Sequence, residues 1–188
     1  MERVLLACSA EQPRKLLCEL LSTAGYSCIS AVQSGSEARR RLLEHDFDFL
    51  VINTPLSDEF GHELALCGAQ FSAAGILLLV KNEWADEISA KVEDAGIMVV
   101  GKPIGKQFFH QALKLVATSR RRLLGLQSEN QRLQKQIEEI RLVNRAKCAL
   151  IQYLSMTEAQ AHRYIEKQAM DLRATRREIA ERILKTYE

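Results

Sequence analysis

The sequence predicts a doubly wound α/β domain with five parallel strands, followed by one long helix and a small module of three short helices. Three observations predict it. Continuous apolar runs alternate with amphipathic stretches through roughly the first hundred residues, the pattern of a parallel sheet covered on both faces. From Phe109 onward no proline occurs and Gly125 is the only glycine, so a helix can run on without a breaker. Two Thr-x-x-Gln/Glu boxes, Thr157–Gln160 and Thr175–Glu178, then divide the last part of the chain into separate helices.

Val4-Leu5-Leu6-Ala7 reads as the first buried strand. Residues 13–24 follow as a helix with Leu16, Leu17, Leu20 and Leu21 at helical spacing, and Gly25 stops it. Strands at Cys28–Ala31, Phe49–Ile52, Ile76–Val80 and Met98–Val100 alternate with helices over 35–45, from about Gly61, over 86–95 and from Lys106. Five such units give a flavodoxin-like order, whose functional edge lies at the C-terminal ends of the strands.

Composition narrows the function classes. No apolar stretch is long enough to span a bilayer, and the N-terminus lacks a signal-peptide layout, so a cytoplasmic protein is expected. The five cysteines (Cys8, Cys18, Cys28, Cys67, Cys148) lack paired metal-ligand spacing, and His45, His62 and His110 are scattered; no metal or cofactor is expected. Charge is uneven: residues 1–116 hold 11 Lys+Arg against 15 Asp+Glu, a net of −4, and residues 117–188 hold 15 against 9, a net of +6. A basic tail behind an acidic head points to a polyanionic partner for the tail.

Residues 1–116 resemble the receiver domain of response regulators. Asp48-Phe49-Leu50-Val51-Ile52-Asn53 with Gly61 eight residues on, and Gly101-Lys102-Pro103 after the fifth strand, carry the resemblance. It implies a frequently cis Lys-Pro peptide. It also implies a phosphorylation site, but that chemistry is missing here. Asn53 stands where the phosphate-accepting aspartate belongs, and an amide is a poor nucleophile with no charge for Mg²⁺. Cys8 and Ser9 occupy the positions of the metal-holding acidic pair, and Val80 that of the hydroxyl residue. Only Lys102 remains. The expected role of this pseudo-receiver is therefore protein contact, through dimerisation or the docking of a sensor or inhibitor protein, and no enzymatic activity is expected.

Residues 117–144 read as a coiled-coil dimerisation helix. With Leu123 at heptad position a, Val116, Leu123, Asn130, Ile137 and Asn144 fall at a, and Ala112, Ser119, Leu126, Leu133 and Ile140 at d. β-branched residues at a with Leu at d favour a parallel pair, and a buried Asn130 would fix its register.

Residues 145–188 form the third part. The long helix ends near Ser155, and Leu150, Ile151 and Leu154 supply its apolar stripe there. Ala161, Ile165 and Ala169 stripe a second helix over about 158–170, and Ile179, Ala180, Ile183 and Leu184 a third over about 176–187. Arg145-Ala146-Lys147 leading into Leu150, Met156-Thr157-Glu158, Ala161, Tyr164-Ile165, Ala169-Met170, Arg173 and Ile179-Ala180 resemble the ANTAR domain, the RNA-binding module of amidase- and nitrate-assimilation-type antiterminators. Cys148-Ala149 departs from the glycine common after the lysine. The resemblance implies binding to hairpins of nascent leader mRNA so that an overlapping terminator cannot form, and the inert receiver resembles amidase-type members controlled by a partner protein. The residue types support it independently. Arg145, Lys147, Arg163, Lys167, Arg173, Arg176 and Arg177 can neutralise phosphates. Tyr164 offers a ring for an unpaired base, and Thr157, Gln160 and Gln168 can position base edges. A protein-interaction adaptor and a DNA-binding factor remain the alternatives.

Overall fold

The computed structural model describes residues 2–187, and the chain divides into two compact units between Leu124 and Gly125. In the first, strands β1 (Arg3–Cys8), β2 (Cys28–Val32), β3 (Phe49–Asn53), β4 (Gly75–Lys81) and β5 (Met98–Lys102) alternate with helices α1 (Glu11–Thr23), α2 (Gly35–Glu44), α3 (His62–Phe71) and α4 (Ala85–Val92). All pairs are parallel, in the order β2-β1-β3-β4-β5, the flavodoxin-like order. Asn53 lies opposite Cys8, so the two meet at the C-terminal edge of the sheet.

Burial on both faces accounts for the apolar strand runs. Leu5, Leu50, Ile52, Ile76 and Leu78 pack with Ala38, Leu64, Ala65 and Ile88 of α2–α4. Their alternating neighbours Val4, Leu6, Phe49, Val51, Leu77 and Leu79 pack on the opposite face with Leu17, Leu20 and Leu21 of α1. That face is completed by Phe109, Ala112, Leu113 and Val116 of α5 (Lys106–Leu154). Val116 sits so close over β4 that a Cβ on Gly75 would lie 2.5 Å from its Cγ1. Gly61, at φ 115°, takes a left-handed turn into α3 that only glycine adopts without strain.

Two expectations change. The helix expected over 86–95 is α4 flanked by 3-10 turns at Asn82–Trp84 and Glu93–Ala95. Leu16, placed on the buried stripe of α1, is 55% exposed, because its neighbours Leu17, Leu20 and Leu21 already fill the sheet-facing side. The long helix begins at Lys106 and ends at Leu154, as the start at Lys106 and the end near Ser155 anticipated, and runs unbroken for 49 residues across the segment boundaries at 116/117 and 144/145. Lys102–Pro103 is cis, as the receiver resemblance implied, and so is Thr54–Pro55.

In the second unit the end of α5 packs with α6 (Glu158–Asp171) and α7 (Arg176–Tyr187) around Ala146, Leu150, Ala161, Ile165, Ile179 and Ile183. Both capping boxes form. Thr157 Oγ1 accepts from the Gln160 N–H at 3.3 Å while Gln160 Oε1 accepts from the Thr157 N–H at 2.9 Å. Thr175 Oγ1 accepts from the Glu178 N–H at 3.2 Å, and Glu178 Oε2 accepts from the Thr175 N–H at 2.8 Å. The bond from the Thr175 backbone N–H foremost, and one from its hydroxyl at 3.0 Å, hold the Glu178 carboxyl below its ordinary pKa. The two interhelical turns pass through left-handed Ser155 (φ 53°) and Arg173 (φ 49°).

Candidate nucleic-acid interface

The receiver edge holds a hydrogen-bonded amide where a phosphate acceptor would stand. Asn53 is buried. It accepts from Lys102 Nζ through Oδ1 at 3.0 Å and donates through Nδ2 to Cys8 Sγ at 3.3 Å. Lys102 also donates to the Thr54 carbonyl. The Ser9 hydroxyl is turned to the Pro55 carbonyl at 2.8 Å, and Val80 is wholly buried. Burial lowers the Lys102 pKa, with Lys81 adding to the shift and Cys8 opposing it. Among the described residues no group of three or more His, Cys, Asp or Glu could hold a metal ion. The structure thus brings Cys8, Asn53 and Lys102 together in one bonded chain that contains no carboxylate.

Along α5 the heptad residues separate into two groups. Val116 and Ala112 are buried in the α/β core, which corrects their assignment to a dimer seam: packing on the sheet and packing on a partner helix use the same three-and-four spacing. Leu123, Leu126, Leu133, Ile137 and Ile140 are exposed, each by at least 46%, and Asn130 lies on the same exposed stretch. These apolar side chains form an unpartnered stripe in the single chain.

In the helical module the basic residues fall into two sets. Lys147 pairs with Glu158 at 2.9 Å, Arg176 with Glu139 at 3.6 Å and Arg177 with Glu181 at 3.0 Å. The hydrogen bond from Lys147 is the main cause of a lowered Glu158 pKa, and the one that Arg177 donates to Glu181 is the main cause of a raised Arg177 pKa. Arg163, Lys167 and Arg173 are exposed or partly exposed and make no ion pair within 4.0 Å among the described residues. Arg145 is exposed too but is not one of the unpaired residues.

Tyr164 is 39% exposed and lines a cleft of about 550 Å³ with Leu154, Met156, Gln160, Arg163 and Lys167. Its ring also borders a smaller cleft with Leu150, Gln168, Leu172, Arg182 and Tyr187. An aromatic wall between guanidinium and ammonium groups suits a nucleotide, with the base on the ring and the phosphate on the cations. Thr157 and the Gln160 carbonyl oxygen are engaged in the helix cap, so of the Gln160 amide it is the NH₂ group that is left for a ligand. Sequence reasoning passed over Tyr153, which stacks on Tyr187 at 5.5 Å between centroids and 17° between planes. No local pattern links two residues so far apart in sequence.

The comparisons with known proteins agree with this architecture. Residues 131–184 match the ANTAR domain. The α/β unit has the fold of the signal receiver domain of an HD-domain-containing protein from Pseudomonas fluorescens, with a TM-score of 0.59 at 20% identity, covering 66% of this chain and 92% of that one. It likewise matches the chemotaxis response regulator CheY4 of Vibrio cholerae, with a TM-score of 0.54 at 22% identity, over 62% of this chain and 98% of that one. Among the described residues no helix is long and apolar enough to cross a membrane. A receiver-like fold with an ANTAR module defines a transcription regulator of the antitermination kind.

Over nearly its whole length the chain is also 30% identical to the transcriptional regulatory protein PdtaR of Mycobacterium tuberculosis, across 185 residues that cover 98% of this chain and 90% of the relative. The chain belongs to the PdtaR family of ANTAR-containing, response-regulator-like transcriptional regulators.

Proposed function

We propose that this regulator binds hairpins in nascent leader mRNA as a homodimer, keeping an overlapping terminator from forming, and that it is controlled by something other than phosphorylation of its receiver. Residues 145–188 bind the RNA, residues 117–144 pair the chains, and residues 1–116 receive the signal by docking a sensor or inhibitor protein in the cytoplasm. The observation that carries the reading is the Tyr164 cleft, where a half-exposed ring stands among Arg163 and Lys167. Those cations and Arg173 make no ion pair among the described residues, so they meet phosphates with no carboxylate to displace. Lys147, Arg176 and Arg177 must first release Glu158, Glu139 and Glu181. Arg145 adds to the same positive field, and Gln168 lines the neighbouring cleft.

Pairing rests on the exposed stripe Leu123, Leu126, Leu133, Ile137 and Ile140, with Asn130 setting register. Independence from phosphorylation rests on Asn53, whose amide is already bonded to Lys102 and Cys8 and offers neither a nucleophile nor a negative charge for a metal ion.

The test is a titration of the full chain against hairpin RNA and against duplex DNA of the same stem, with and without acetyl phosphate and Mg²⁺. The expected result is salt-dependent binding to the hairpin that the phosphoryl donor leaves unchanged. Equal affinity for duplex DNA would replace this reading with a DNA-binding one.

A further inference from the structure

Tyr153 is 55% exposed at the end of α5, yet it is held rather than loose, because Tyr187 of α7 stacks against one side of its ring. The ring borders an open face of α5, where Arg141, Asn144, Arg145, Cys148, Ala149 and Gln152 follow at helical spacing. This face is distinct from the cleft that holds Tyr164, which the neighbouring residue Leu154 lines. Tyr187 connects them, since it stacks on Tyr153 and shares a second, smaller cleft with Tyr164. Three tyrosines therefore run around one end of the module. A clasp that only fastened α7 to α5 would be served by buried apolar side chains, and Ile183 and Leu184 already supply them. More than half of Tyr153's surface instead faces solvent beside Arg141, Arg145 and Gln152.

We infer that Tyr153, backed by Tyr187, is a second stacking platform that takes an unpaired RNA base, with Arg141 and Arg145 receiving the adjoining phosphate and the Gln152 amide facing the base edge. Stacking on an aromatic ring is tolerant of base identity, and an amide beside the ring adds directional hydrogen bonds. The backing ring matters because a platform already ordered before binding loses less side-chain freedom on complex formation. This inference rests on the RNA-binding reading above and extends it to a second nucleotide on the same module.

The experiment uses the full chain and a pool of RNA hairpins with a constant stem and a randomised loop. Affinity is measured for wild type, Tyr153→Ala, Tyr153→Leu, Tyr153→Phe and Tyr164→Ala, with the thermal melt of each. Tyr153→Ala and Tyr153→Leu are expected to weaken binding about tenfold or more, as loss of one stacked base does. Tyr153→Phe keeps the ring and is expected to bind as wild type does, and all three melt normally because the site is exposed. Selecting tight binders from the pool and placing 2-aminopurine in their loops should show quenching at one position that Tyr153→Leu abolishes and Tyr164→Ala does not. Wild-type affinity in Tyr153→Leu would overturn the inference, as would a loss that tracks unfolding in its melt. A loss in Tyr164→Ala with none in Tyr153→Ala would leave RNA binding standing and remove this platform alone. A wild type that binds no hairpin would remove both.

Discussion

Leu150→Ala tests whether the helical module is an independent small core. Leu150 is fully buried on α5 and packs with Ala161, Ile165, Ile179 and Ile183. Four of the nine buried residues in that cluster are alanines, so Leu150 is one of only five large side chains there holding three helices together. Removing its three terminal carbons forfeits about 2.4 kcal/mol of transfer free energy. The cavity left behind adds on the order of 1–2 kcal/mol, giving about 3–4 kcal/mol in total. A unit of this size has about 3–9 kcal/mol to lose. The variant is therefore expected to lose much of its α6–α7 structure at 37 °C while the α/β unit stays folded. Urea titration followed by helical circular dichroism, with proteolysis mapping the cut sites, should show an early transition with cleavage confined to residues beyond about 150. The exposed Leu43, 83% accessible, provides the control, and Leu43→Ala should shift the midpoint hardly at all. A Leu150→Ala chain with the wild-type midpoint and no new cleavage would refute this account of the core.

Three further predictions concern other parts of the molecule. Asn53→Asp should place a carboxylate beside Lys102 without making a phosphorylatable receiver, because Cys8 and Ser9 still supply no acid for Mg²⁺; radiolabelled acetyl phosphate should leave no label, and a labelled chain would contradict the site as described. Leu133→Asp puts a charge on the exposed stripe of α5 and should weaken self-association by at least about tenfold in sedimentation without changing the monomer's melt; unchanged association would move the seam elsewhere. Asp58 accepts from the N–H groups of Ser36 and Gly35 at the start of α2, and these bonds lower its pKa from 3.8 to about 2. A depressed carboxyl stabilises the fold above its unfolded pKa and loses that contribution as pH falls through the folded value. The melting difference between wild type and Asp58→Ala should hold at neutral pH, shrink below pH 3.8 and vanish below about 2; a difference that grew with acid would contradict the bonding seen here.

Most of the fold was legible because burial leaves a direct trace in sequence. Strands covered on both faces must be apolar throughout, and Ile76–Val80 is apolar at every position because helices cover it from both sides. The caps at Thr157 and Thr175 were legible because each is a local bond between residues three apart. Legibility ended where the identity of a partner mattered. Val116 and Leu123 have the same spacing, yet the first faces the sheet and the second does not, and periodicity records only that something apolar is faced. The left-handed turns at Ser155 and Arg173 had no glycine to announce them. The Tyr164 ring could be singled out from sequence, while the Tyr153–Tyr187 stack depends on the relative placement of α5 and α7. The ion pairs that divide the basic residues into engaged and open sets likewise join separate elements.

The most direct test of the central claim is the affinity of the full chain for hairpin RNA across a range of salt concentrations, compared with Tyr164→Ala. Tight binding that falls steeply with salt, and that Tyr164→Ala weakens by about 1–3 kcal/mol, is the predicted result. Binding that ignores both salt and Tyr164, or no binding even by residues 120–188 alone, would contradict the claim that this module recognises RNA.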